Sequence, residues 1–228
     1  MSTTSTQGAG TTEADGQAWS WTVDPVAGWV VVPSTTSESP EVISSWESDV
    51  VEAVLGSVEP GTPEGSDGGV VLSDEDRALL RQNVGLAVAN LLKFADHVAP
   101  DARIAALVGL EDRGPVPVVV SVVMGEPGAS DDTLLEVLGA TGGNPVNPPN
   151  IEYFELPDGD GIRVTRLDLD QATGGVWLSV GVGRRTEHPD AVVDTVLLWR
   201  TQDIITVEAV GEALDELLPA VRVTRSAQ

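Results

Sequence analysis

Two runs rich in β-branched and aromatic residues, 151–156 and 162–169, flank the tetrad Asp158-Gly159-Asp160-Gly161. Glycine reaches positive φ at no steric cost, and aspartate bonds to its own turn backbone, so this spacing predicts a tight hairpin. Further runs at 103–110 and 116–124 are joined by a Glu-Asp-Arg-Gly-Pro turn, and others follow near 175–182, 195–200 and 204–210. Strands linked by turns this short pair antiparallel. The expectation is an α+β fold: a central, mainly antiparallel sheet flanked by helices.

The helices announce themselves by their caps. Ser39 stands at an N-cap position, Pro40 at the first helical position and Glu41 beside the positive helix end. Val42, Ile43, Trp46, Val50, Val51 and Val54 then recur every three or four residues, and Gly56 is placed to end the helix. Ser73 and Asp76 resemble a capping box for a second helix. Its buried face reads Leu80, Val84, Ala87, Val88, Leu91, Leu92, Ala95 and Val98, with Pro100 at the exit. That is about 25 residues, or about 37 Å. Ser130 begins a short helix reaching about Gly139, and another is expected near 212–218 before a terminal strand at 221–224. Early in the chain Trp19, Trp21 and Val23 alternate with polar residues as in a half-buried strand, and 28–32 forms a second strand closed by Pro33. Residues 1–17 hold too few apolar groups to order and read as a disordered tail. The rest, 18–226, reads as one domain with an acidic flexible loop at 57–69.

Charge narrows the partner. No lysine or arginine precedes Arg77, while the first 76 residues carry 14 acids of a chain whose net charge is −24. Such a field repels phosphate backbones, so nucleic acid is excluded as a partner and a protein with a basic surface is favoured. A reading as solubility or salt adaptation stands beside it. The chain has no cysteine, which removes disulfides, thiolate metal sites and a lipid-anchor cysteine. No apolar run reaches the ~18–20 residues a membrane span needs, and the start lacks signal-peptide character. The expected location is cytoplasmic.

Reactive chemistry is sparse. Histidine is the usual side chain for acid–base work near neutral pH; the chain has two, His97 and His188, and both have structural explanations: the last turn of a helix and a Glu-His-Pro-Asp turn. No Gly-x-Ser-x-Gly elbow or Gly-Lys-Ser/Thr loop exists. Gly181-x-Gly183 lacks a third glycine and lies in a strand pattern, and Arg184-Arg185 reads as a charged strand end. Asp158 with Asp160, and Asp168 with Asp170 on one strand face, are the weak metal candidates, short of a full ligand set. They define the alternative function, a metal-dependent or hydrolytic enzyme. No cofactor is expected. The candidate binding residues are Trp19, Trp21 and Trp29 with Glu47, Asp49 and Glu52. Core burial is the competing role for the tryptophans and the favoured one for Trp46 and at least one strand tryptophan.

One early strand carries Gly28-Trp29 and ends at Pro33, and a capped helix and many strands follow it. At the end, 203–225 reads as strand, leucine-rich turn-helix and Val-Arg-Val-Thr-Arg. This order resembles the PsbP-like sandwich superfamily, over roughly residues 19–226. That superfamily includes a photosystem extrinsic subunit, a nuclear-import factor that binds the Ran GTPase, and bacterial surface lipoproteins. The long second helix and the loop before it depart from its simplest version. The resemblance implies a non-catalytic accessory or adaptor module, and no functional residue carries over.

Overall fold

The computed structural model describes residues 10–14, 17–58, 73–110 and 113–225. Strands β1 (Gly10–Ala14), β2 (Gln17–Val23) and β3 (Trp29–Val32) precede helices α1 (Pro40–Val58) and α2 (Asp74–Ala95). Then come β4 (Ala102–Leu107), β5 (Val116–Gly125), helix α3 (Asp131–Val137), β6 (Asn150–Leu156) and β7 (Gly159–Leu169). β8 (Val176–His188) and β9 (Ala191–Thr201) follow, and a 3-10 turn (Ile204–Thr206) leads into α4 (Val207–Leu217). A second 3-10 turn (Leu218–Ala220) and β10 (Val221–Arg225) close the chain. This is a mixed α+β architecture with a large antiparallel sheet.

The contacts divide the chain into two compact units. One comprises Met1–Val26, Ala99–Arg103 and Val118–Gln228, the other Ala27–Val98 and Ile104–Pro117. Each is assembled from discontinuous segments, so no single linker marks a boundary along the sequence.

In the larger unit β5, β9, β8, β7 and β6 lie side by side in that order, every pair antiparallel. Ala191 to Leu197 are buried without a break, so β9 is covered on both faces. On one face Leu134 and Leu138, from α3 and its C-cap, join Val164 and Val196 in an apolar cluster. Two strand glycines permit this approach. A Cβ on Gly181 would lie 2.5 Å from the Leu138 carbonyl oxygen, and one on Gly183 3.1 Å from a Leu134 methyl. The Gly-x-Gly pair is therefore a seat for a helix end. β2 pairs with β1 and β10 in a separate small sheet.

In the smaller unit β3 and β4 are antiparallel, Trp29 opposite Leu107 and Val32 opposite Ile104. Trp46, Val50 and Val54 form the buried stripe of α1; Val84, Val88, Leu91, Leu92 and Ala95 form that of α2. Ser73 Oγ accepts from Asp76 N at 3.1 Å, the expected N-cap. At the other end Asp96 accepts from Thr35 N (2.9 Å), Thr35 Oγ1 (2.5 Å) and Ser34 Oγ (3.1 Å), clamping the chain after β3 to the end of α2.

Several expectations need correction. Gly10–Ala14, inside the stretch read as a disordered tail, is a strand paired to β2, because ladder bonds use backbone groups and need no apolar side chain. α1 continues past Gly56 to Val58, so residues 57–58 of the expected loop are helical, while 59–69 lie outside the described residues. α2 ends at Ala95 with Asp96 as its C-cap, short of Pro100. The first hairpin turns at Pro157-Asp158, and Gly159 to Gly161 already belong to β7. Residues 204–210 are not a strand. Asp203 caps a 3-10 turn through Ile205 N, and Val210, Gly211, Leu214 and Leu217 bury one helical face. There the helical period outweighed β-branched propensity.

Candidate functional site

Beside its buried stripe, α1 presents Glu47, Ser48, Val51 and Glu52 to an open groove whose opposite wall is Arg81, Gly85 and Val88 of α2. The groove encloses about 330 Å³. Val51 and Val88 supply apolar floor. Glu52 takes an ion pair from Arg81 at 3.2 Å, and Glu47 has no cationic partner among the described residues. Asp49 lies exposed on α1 outside the groove lining. Gly85 gives the groove its depth, since a Cβ there would meet nothing within 4 Å. An apolar floor below a free carboxylate suits a lysine or arginine side chain, whose stem covers the valines while its head meets Glu47.

The structure thus brings together two of the predicted acids, Glu47 and Glu52, and leaves Asp49 beside them. Sequence reading missed the α2 wall. Its one signal was Gly85 inside a helical pattern, where glycine weakens the helix.

The predicted tryptophans do not form a docking surface. Trp19, Trp21 and Trp29 are 4%, 2% and 9% exposed, and Trp46 7%. Their size makes burial the larger gain, and the core role weighed against docking is the one they occupy. Trp19 packs on the His188 ring, centroids 4.8 Å apart, and His188 ends strand β8 rather than standing in a loop. His97 donates from Nδ1 to the Lys93 carbonyl at 2.5 Å.

Three of the four aspartates weighed as metal ligands are engaged by separate partners, and the fourth, Asp160, stands apart from them. Asp158 meets Arg184 at 2.6 Å. Asp168 holds Arg166 through both oxygens, at 2.8 and 2.6 Å, and also accepts from Asn144 N. Those Arg166 bonds, more than any other influence, hold the Asp168 carboxyl below its ordinary value against the opposing effect of burial. Asp170 lies beyond the end of β7 and so does not share a strand face with Asp168. Bonds from Thr173 and the Ala172 amide lower its pKa. Asp160 is exposed in β7 opposite Glu155. Among the described residues no group of three or more His, Asp or Glu side chains is arranged to hold a metal ion.

Arg184 and Arg185 are structural struts, not a charged strand end. Arg184 is buried and donates to Asp158 and to the Val221 carbonyl. Arg185 grips Asp194 through two bonds, at 2.8 and 2.7 Å, and reaches Ala129 O, Asp131 and Thr133 Oγ1 at the start of α3.

Among the described residues no helix is long and apolar enough to cross a membrane. No family model and no curated protein matches the chain. A solved structure that it resembles is that of LpqN, described as involved in cell envelope biogenesis of Mycobacterium tuberculosis. The match has 8% identity and a TM-score of 0.42, and covers 97% of this chain and 92% of that one. A likeness of that size carries no functional inference.

Proposed function

We propose that the protein is a non-catalytic accessory or adaptor module that binds another protein, one with a basic surface, through the acidic groove between α1 and α2. The observation that carries this reading is the pairing of apolar floor with the free Glu47 carboxylate, on a helix whose charged residues are all acidic. Complementary charge speeds encounter, and the groove supplies a place for a cationic side chain to lodge. Within the same reading the fold is a PsbP-like sandwich acting in the cytoplasm, supported by the strand that starts at Trp29, the capped helix after it and the closing α4–β10 segment.

The test is capture from native lysate by the immobilised chain, comparing wild type with Gly85→Leu, which fills the groove, and Glu47→Lys, which inverts its charge. A basic protein retained at low salt, released at high salt and lost from both variants is the expected result. Equal capture by all three chains refutes the groove.

A further inference from the structure

We infer that the free edge of β6 is a second interaction surface, one that accepts an extended basic segment of a protein partner by β-strand addition. Among the described residues β6 has a neighbour on one side only, β7. The two-residue turn Pro157-Asp158 makes Leu156 and Gly159 the closing hydrogen-bonded pair, so ladder bonds recur at residues 154, 152 and 150 of β6. The other hairpin gives the same answer. Its turn at Pro189-Asp190 fixes the bonded pairs of β8 with β9, and carrying that alternation across β7 returns the same residues of β6. Hence the N–H and C=O groups of Ile151, Tyr153 and Glu155 point away from the sheet.

The side chains of those residues share one face and are open to solvent: Ile151 is 40% exposed, Tyr153 68%, and Glu155 is exposed. The devices that usually blunt an edge are few. The strand has no lysine, no proline and no bulge, since its register with β7 runs unbroken from Asn150 to Leu156. Its charges are Glu152, paired with Arg163 at 3.4 Å, and Glu155, with no cationic partner among the described residues. A segment laid here gains main-chain bonds to three residues, apolar contact with Ile151 and Tyr153, and a carboxylate for one lysine or arginine. A second copy of the chain, itself at −24, brings repulsion instead.

The probe is a capped, fluorescein-labelled heptapeptide of alternating lysine and valine, with the same peptide N-methylated at alternate residues as control. Binding is measured on the full chain by anisotropy, and amide exchange is read residue by residue by NMR. The expected result is saturable binding with slowed exchange at Ile151, Tyr153 and Glu155. Tyr153→Pro deletes an outward N–H that the ladder does not use, and should weaken binding about tenfold with its own spectrum otherwise preserved. Glu155→Lys, which leaves the backbone intact, should weaken it as well. Gly85→Leu should leave it unchanged, which separates this edge from the helix groove. Equal binding of the N-methylated peptide, or no exchange protection at the three residues, overturns the proposal. A wild-type dimer that dissociates on Tyr153→Pro also overturns it, by assigning the edge to a second copy.

Discussion

Gly181 of β8 lies directly beneath the carbonyl of Leu138, so close that a single added carbon would stand 2.5 Å from that oxygen. The obstacle is backbone, which cannot swing aside as a side chain can. Gly181→Ala must therefore lift the end of α3 from the sheet and disturb the Leu134–Leu138–Val164–Val196 cluster. The expected loss is about 1–3 kcal/mol or more, read as a lower urea midpoint. An unchanged midpoint would show that α3 does not need this seat.

The grip of Arg185 on Asp194 is nearly dry, with the two side chains 9% and 10% exposed. Arg185→Ala strands the Asp194 carboxylate in the interior and should cost about 3–5 kcal/mol. Asp194→Ala should cost less, because Asp131, the Ala129 carbonyl and Thr133 still receive the guanidinium. Paired urea unfolding curves decide the order.

Asp168 gives the fold an acid-labile element. Its folded pKa is depressed by Arg166, so its stabilising contribution is complete above the unfolded carboxyl value of about 4 and disappears as pH falls through the lower folded value. Asp168→Asn should be less stable than wild type at neutral pH, and the gap should narrow toward pH 3. A gap that stays constant between pH 7 and 3 in thermal unfolding refutes the assignment.

Nearby, Gly143 is held at φ +65° with Arg166 Nη2 inside the space a Cβ would occupy. Gly143→Ala should displace Arg166 from Asp168 and from the carbonyls of Gly139 and Thr141 that it also holds. The variant should lose about 2 kcal/mol or more and much of the acid sensitivity ascribed to Asp168. Thermal unfolding at pH 7 and pH 3 reads both effects.

Gly85→Ala offers the opposite sign. The position is mid-helix, its φ is ordinary, and the added methyl meets nothing, so stability should rise by about 1 kcal/mol. The exposed Glu52–Arg81 pair contributes little, so Arg81→Ala should move the melting temperature by less than a degree or two. A large drop would mean that α1 and α2 depend on that pair.

Local chemistry determined much of this molecule. Ser73 and Ser130 cap the helices expected of them, the β-branched runs around residues 160 and 180 are strands, and the period of α2 marks its buried face, because each signal acts within a few residues. Cysteine content and charge likewise needed no coordinates. What only the tertiary structure decided depends on residues far apart in sequence. Arg184 and Arg185 look like any surface pair until Asp158, Asp194 and the start of α3 fold around them. Gly181 and Gly183 resemble a fragment of a nucleotide motif until Leu138 settles on them. Periodicity favours the core for Trp46 and at least one strand tryptophan, but which of Trp19, Trp21 and Trp29 is covered was open, because sequence gives size and face but not what covers that face. Glu47 and Glu52 were legible as acids on α1, but the groove they border exists only where Gly85 of α2 meets that helix.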